Sequence, residues 1–248
     1  MTGHYIEEIR IDKPLPRGSY LRKLPPVKSI IGSGGLDLGS SVTFFVGENG
    51  SGKSTLTEAI AVAAGFNPEG GSKNYCFSTY DSHSELSEYL TLSRGAYYKD
   101  GFFLRAESLY NAASYVERID SIPAPLPRVI EGFGGVSLHE QSHGESFLAV
   151  IVNRFKGNGL YILDEPEAAL SPTGIMTMMV AMHDLVNENS QFIISTHSPI
   201  LTAFPGAVIY ELSGKGIREI SYRETANYIL TKRFLNDPEG EINRLFGE

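Results

Sequence analysis

The stretch GENGSGKS at residues 47–54 matches the pattern G-x-x-x-x-G-K-[ST] in full. A backbone that wraps a polyphosphate needs glycines, because a Cβ would block the approach. Successive N–H groups of such a loop point inward, and the helix that follows adds its positive N-terminal end. The expected phosphate contacts are therefore Gly47, Glu48, Asn49, Gly50, Ser51, Gly52, Lys53, Ser54 and Thr55. Lys53 supplies a mobile charge for the β/γ oxygens, and the Ser54 hydroxyl is placed to bind Mg²⁺. A glycine-rich turn before a helix would share part of this pattern. The context is more specific: VTFFV at residues 42–46 is short, apolar and β-branched, and LTEAIAVAA at 56–64 is helix-forming. Strand, loop and helix in that order predict nucleotide binding.

The chain has 248 residues, enough for one α/β domain with a sizeable core. Apolar residues make up 42% and charged residues 20%. No apolar run approaches the ~20 residues of a membrane span. The start, MTGHYIEEIRIDK, lacks a basic segment followed by an apolar one, so no secretory signal is expected. The single cysteine, Cys76, cannot form an internal disulfide and reads as a small hydrophobe in a strand. A cytoplasmic location is the resulting expectation. The net charge of −8 argues against a surface dominated by nucleic-acid backbone binding, without excluding a local basic patch.

Residues 5–11 alternate apolar and charged side chains and predict an edge strand. Pro14, Pro16, Pro25 and Pro26 are expected to interrupt regular structure, with the nucleotide-binding unit beginning near Val42. Residues 65–72 read as loop, 75–79 and 101–104 as short strands, 82–93 as a polar stretch and 107–119 as a helix. The proline-rich run at 122–128 excludes helix and central strand. Helix at 144–155, strand at 160–163, helix at about 173–188 and strand at 191–196 alternate, as a parallel sheet of βαβ units requires. Two further strands are expected near 207–212 and 216–221, then one or two short helices over 224–246. Met176, Met178, Met179 and Met182, with Ile175, Leu185 and Val186, are expected to form the core face of the long helix.

The strand LYIL at 160–163 is continuously apolar, hence buried on both faces, and ends in Asp164-Glu165. Two adjacent carboxylates there are costly unless compensated. A Mg²⁺ ion near Ser54 would compensate them, with Asp164 orienting the metal and Glu165 acting on the attacking water as general base. Capping of the next loop is the alternative reading. His197 closes the next strand 33 residues on, one strand–helix–strand repeat later. It is therefore expected at the same sheet edge, positioned for the γ-phosphate or the attacking water. Ser142 and Glu145 form a capping box at the start of a helix. That accounts for them locally; the other reading is that Ser142, Gly144 and Glu145 meet a second molecule's nucleotide.

The phosphate loop, QSHGES, YILDEPE, ALSP at 169–172 and STHSP resemble, in order and spacing, the motifs of ABC-type ATPases. The resemblance is to the RecF/SMC and overcoming-lysogenization-like branch. It is closer still, through GFNPEGGS, GFFLRAES and LHEQSHGESFL, to a bacterial group of predicted ATPases of the AAA/ABC kind. It covers residues from about 20 to 238. It implies an α/β P-loop NTPase with an ABC-type head: a mostly parallel central sheet, an antiparallel β portion and a small helical lobe. A single domain over 1–248 is expected, with the lobe at about 80–157. It further implies a homodimer sandwiching two ATP-Mg²⁺. Lys53, Glu165 and His197 would be catalytic, Ser54 and Asp164 would face the metal, and Ser142 and Gly144 would act in trans.

This sequence departs from the pattern in having no glutamine between Lys53 and Glu140, where the superfamily carries a Mg²⁺-ligating one. Glu107 is the expected substitute, and Arg105 beside it would contact phosphate or partner. Tyr20 and Arg22 are candidates for adenine contact. Only 89 residues separate Lys53 from Ser142, too few for a long coiled-coil arm. The implied role is a switch acting with a nucleic-acid or protein partner, of a DNA-repair or phage-defence type. The alternatives are a transporter's ATP-binding subunit and a nucleotide-dependent scaffold. The missing glutamine, SHGES and DEPE argue against a membrane partner; Glu165 and His197 argue against a scaffold.

Overall fold

A computed structural model describes residues 4–72, 84–106, 109–122 and 128–247. The expectations for Cys76, the 75–79 strand, Glu107 and the prolines of 123–127 fall outside the described residues.

Two sheets organise the chain. The larger has six strands: β3 (Val42–Val46), β5 (Asp100–Arg105), β6 (Gly159–Asp164), β7 (Gln191–Ser195), β8 (Val208–Ser213) and β9 (Gly216–Glu219). Their spatial order is β5-β6-β7-β3-β8-β9. All neighbours are parallel except the terminal pair, β8 and β9. Alternation along each strand sends successive side chains to opposite faces. Phe44, Phe102, Tyr161, Leu163, Phe192 and Ile194 pack on one face. Phe45, Phe103, Leu160, Ile162 and Ile193 pack on the other. That is why these strands read as unbroken apolar runs.

The first face is covered by α4 (Leu109–Asp120), α5 (His143–Ala149) and α6 (Pro172–Asn187), the second by α1 (Pro25–Ser33) and α2 (Lys53–Ala64). A π-helical turn, Val150–Arg154, continues α5. With the turn at Val129–Phe133, these elements make the helical part between β5 and β6. On the core face of α6, Met178 and Met182 are fully buried. Met176 departs from the expectation: it is 50% exposed, because its position turns it away from the sheet.

The smaller sheet is antiparallel, in the order β2 (Leu36–Asp37), β1 (Glu8–Ile11), β4 (Leu90–Ser93). The first strand is therefore central, not an edge: both sides of its backbone are paired. β4, preceded by the single-turn α3 (Leu86–Tyr89), lies in what reads as a polar stretch. Both β4 and β5 fall within the stretch expected of the helical lobe. Pro25 and Pro26 start α1 instead of interrupting structure, since a first helical turn has no use for their missing N–H. Regular structure packed with the central sheet thus begins well before Val42.

Gln191 joins the two sheets. Its Oε1 accepts from the N–H groups of Tyr5 and Ile6 at 3.0 and 2.9 Å. Its Nε2 donates to the carbonyls of Ile6 and Leu38, both at 2.8 Å. The side chain is buried, so losing it leaves main-chain groups without water or partner. At the other end, α7 (Ala226–Asn236) and α8 (Pro238–Phe246) form a hairpin, held where buried Glu241 takes Arg233 at 2.8 Å and also Arg244. No helix among the described residues is long and apolar enough to cross a membrane.

Gln191→Met keeps the volume and removes every one of these hydrogen bonds. We expect a loss on the order of 3 kcal/mol in urea unfolding, from several buried groups each worth about 1–3 kcal/mol. A loss below about 1 kcal/mol would show that Gln191 does not join the sheets.

Candidate functional site

Parallel strands put β3, β6 and β7 side by side with their C-terminal ends at one edge. In register, Ser195 lies opposite both Phe45 and Asp164. The loop after β3, Asp164-Glu165 after β6 and Thr196-His197 after β7 therefore converge, as the spacing predicts.

The loop adopts positive φ at Gly47 (148°), Gly50 (78°) and Gly52 (96°). An added Cβ at Gly47 would collide with the Leu212 carbonyl oxygen, so glycine there serves close approach as well as φ. Gly52 is the N-cap of α2 and no side chain caps it, leaving the first N–H groups of α2 without internal partners. Lys53 is buried and donates to the carbonyls of Gly47 and Glu48, both at 3.0 Å. Burial pushes its ammonium below the usual lysine range, while the carboxylates of Glu165, Asp164 and Glu167 pull the other way.

Two cavities flank the loop. One, of about 500 Å³, is bounded by Lys53, Ser54, Thr55, Arg105, Asp164 and Glu165 among others. The other, of about 650 Å³, lies between loop residues Gly47–Ser51, His197 and the start of α7 at Ala226-Asn227. Glu165 has φ +50°, a left-handed conformation costly for a non-glycine residue. Its Oε1 stands 3.5 Å from His197 Nε2, an ion-pair distance without hydrogen-bond geometry.

Buried Asp164 accepts a short hydrogen bond from Ser195 Oγ and lies 3.4 Å from Arg105 Nε. Glu167, which the motif reading left without a role, holds the end of β7. It accepts from Thr196 Oγ1 at 2.8 Å and from the His197 N–H. Burial raises the Glu167 carboxyl above its ordinary range, opposed by those hydrogen bonds. Asn227 Nδ2 donates to the His197 carbonyl at 2.7 Å. Ser195 and Glu167 lie inside STHSP and YILDEPE without a role read from them, and Asn227 and Glu58, which pairs with Arg105, lie outside any motif; each acts through a contact made in the folded chain.

Polyphosphate and Mg²⁺ fit these residues on observations of the fold itself. Ser51 Oγ, on the loop, and His197 Nε2, beside it, are buried polar atoms with no hydrogen-bond partner. The uncapped α2 terminus and the glycine cradle suit an anion. Ser54 and Asp164 bring a hydroxyl and a carboxylate to one cavity. The described residues hold no group of three or more His, Cys, Asp or Glu suited to a metal. Mg²⁺ held largely by phosphates and water needs no such group.

The remaining candidates lie elsewhere. Ser142, Gly144 and Glu145 line neither cavity. Ser142 and Glu145 form the expected capping box, with Ser142 N–H donating to Glu145 Oε2 at 2.9 Å, and both are exposed. Gly144 sits against the Ala169 carbonyl, where an added Cβ would come within 3.0 Å. Tyr20 and Arg22 also line neither cavity. The Tyr20 hydroxyl meets Ser84 Oγ at 3.1 Å and Arg22 donates to the Leu15 carbonyl at 3.2 Å; Leu24 reaches the loop instead.

Comparisons with known proteins agree with this geometry at the level of fold. A family model described as an AAA domain matches residues 27–102, from α1 through the phosphate loop into β5. No curated protein matches the chain. Among solved structures, an inward-facing ABC transporter described as of the metal-chelate type is 14% identical. That match covers 93% of this chain and 88% of the other, with a TM-score of 0.51. CbiO1 of Clostridium perfringens, part of the ABC transporter complex cbiONQ, is 16% identical over 99% of this chain and all of its own, with a TM-score of 0.49. The SMC head domain of Thermotoga maritima is 15% identical over 88% of this chain and 98% of its own, with a TM-score of 0.44. The chain has the α/β P-loop NTPase fold in the form resembling ABC-type ATPase heads.

The two loop glycines should respond differently to substitution. Gly47→Ala meets both positive φ and a backbone carbonyl, and is expected to cost about 2–4 kcal/mol in urea unfolding. Gly50→Ala, whose Cβ meets open space, should cost about 1–2 kcal/mol. Equal losses would remove close approach as the reason for glycine at 47.

Proposed function

We propose that this chain is a single-domain ATPase whose site is completed by a second copy. The observation that carries this reading is the buried Lys53 under an uncapped glycine cradle, flanked by Ser51 Oγ and His197 Nε2, neither of which makes a hydrogen bond. A built anion site with orphaned donors and acceptors is costly unless a ligand pays for it. The loop N–H groups and Lys53 bind the phosphates. Ser54 and Asp164 would hold Mg²⁺, which when bound neutralises developing charge on the phosphates. Glu165 takes the proton of the attacking water, and His197, 3.5 Å from it, orients that water or the γ-phosphate.

The second copy enters through Ser142, Gly144 and Glu145. They are presented at the start of α5, away from their own chain's loop, beside the Ala169 turn that follows Asp164-Glu165. Two copies head to tail would bring each Ser142 to the other's nucleotide, and closure would depend on contacts to the γ-phosphate. We infer that this closure serves a nucleic-acid or protein partner.

Lys53→Ala should weaken ATP binding by about 10- to 100-fold or more, the worth of hydrogen bonds to charged groups. Unchanged affinity in a calorimetric titration would overturn the site. Glu165→Gln should cut turnover by roughly 10²–10⁴-fold while leaving ATP bound. It should also shift the chain to a dimer in light scattering when ATP is present. Hydrolysis at the parent rate would remove Glu165 as the base, and a monomer at all ATP concentrations would remove the second copy. ATPase activity indifferent to added DNA across a salt series would set aside nucleic acid as the partner.

A further inference from the structure

Arg105 occupies the region where the superfamily's metal-ligating glutamine is missing, and its surroundings give it a different task. It is the last residue of β5 and pairs in register with Asp164 of β6. Its Nη1 lies 2.8 Å from Glu58 Oε2 on α2, and its Nε lies 3.4 Å from Asp164 Oδ2. The three side chains are only 23%, 12% and 7% exposed, so the charges are poorly screened. Asp164 Oδ1 is already taken by Ser195 Oγ. Both oxygens of the expected metal-facing carboxylate are thus engaged by the protein, one of them with a cation. Arg105, Asp164 and Ser54 border the same cavity.

A divalent cation at Asp164 would have to sit beside a guanidinium, and like charges at such range repel strongly when partly buried. We propose that Arg105 is a resident counter-ion that holds Asp164 against free metal. The carboxylate is released for Mg²⁺ only when the phosphates of a nucleotide on the loop offer the guanidinium a second anionic partner. Arginine suits this because its planar fork can keep Glu58 while exchanging a carboxylate for a phosphate. Glu58 is the fixed end of this arrangement: its other oxygen, Oε1, accepts from the Ser84 N–H at 2.9 Å. Arg105 is accordingly a positioning residue. This inference deepens the reading of Asp164 given above and rests on it.

Metal binding to the nucleotide-free chain tests it without any turnover, with Mn²⁺ as the probe, followed through the loss of its free electron paramagnetic resonance signal. Wild type should bind Mn²⁺ weakly. Arg105→Gln, which can still hydrogen-bond Glu58 without a charge, should bind it at least tenfold more tightly. Arg105→Ala should do the same, and Arg105→Lys, which keeps the charge, should resemble wild type. The gain should vanish in Arg105→Gln/Asp164→Asn, placing the metal at Asp164. Equal Mn²⁺ affinity in wild type and Arg105→Gln overturns the proposal, as does a gain that survives Asp164→Asn. Failure of the ATP reading has a separate signature: the wild-type chain would then bind no ATP with Mg²⁺ present, whatever the Mn²⁺ titrations of the variants show.

Discussion

An ammonium buried under a loop of backbone needs compensation, and the site is arranged around how Lys53 obtains it. Two loop carbonyls take its hydrogens, and three carboxylates at and just past the end of β6 supply opposing charge. The first source is local to the loop and the second comes from a strand more than a hundred residues on. The carbonyls are presented because glycines at 47, 50 and 52 accept positive φ. The carboxylates arrive because β6 runs parallel to β7, and β7 to β3, so that successive repeats end at one edge. Charge compensation, loop conformation and sheet topology are thus one requirement met at three levels.

Around that centre, a second tier of residues fixes direction. Ser195 holds Asp164, Glu167 holds Thr196 and the His197 main chain, and Asn227 reaches the same turn from α7. The positive φ of Glu165 is tolerated where its N–H is tied to the Ser195 carbonyl at 3.0 Å. In that conformation its Oε1 stands 3.5 Å from His197 Nε2. The C-terminal hairpin borders the site through Ala226 and Asn227, so a helix remote in sequence helps place His197.

Much of this was legible before any fold was known, and the misses have physical reasons. The loop at 47–54 is readable because phosphate binding constrains residue types at fixed spacing. The central strands are readable because burial on both faces removes polar residues. Pro25-Pro26 misled because proline is incompatible with a helix interior and compatible with its first turn, and only the fold shows which applies. β4 was hidden because a short strand in a small sheet needs few apolar residues. β1 looked like an edge because alternation reports a half-exposed face, not the number of neighbours. Met176 looked like core because a run of methionines does not by itself fix the helix phase.

By itself the sequence determined that a glycine cradle, a lysine, a carboxylate pair and a histidine recur at spacings that one parallel sheet can bring together. Local chemistry and a strand–helix–strand repeat length suffice for that. What only the tertiary structure decided is which groups face each other: Gln191 between the sheets, Glu167 beneath His197, and Arg105 between Glu58 and Asp164. Those pairings join residues tens to nearly two hundred positions apart, and no local periodicity records them. They arise from strand register and helix packing, which place side chains within a few ångströms only once the chain has closed.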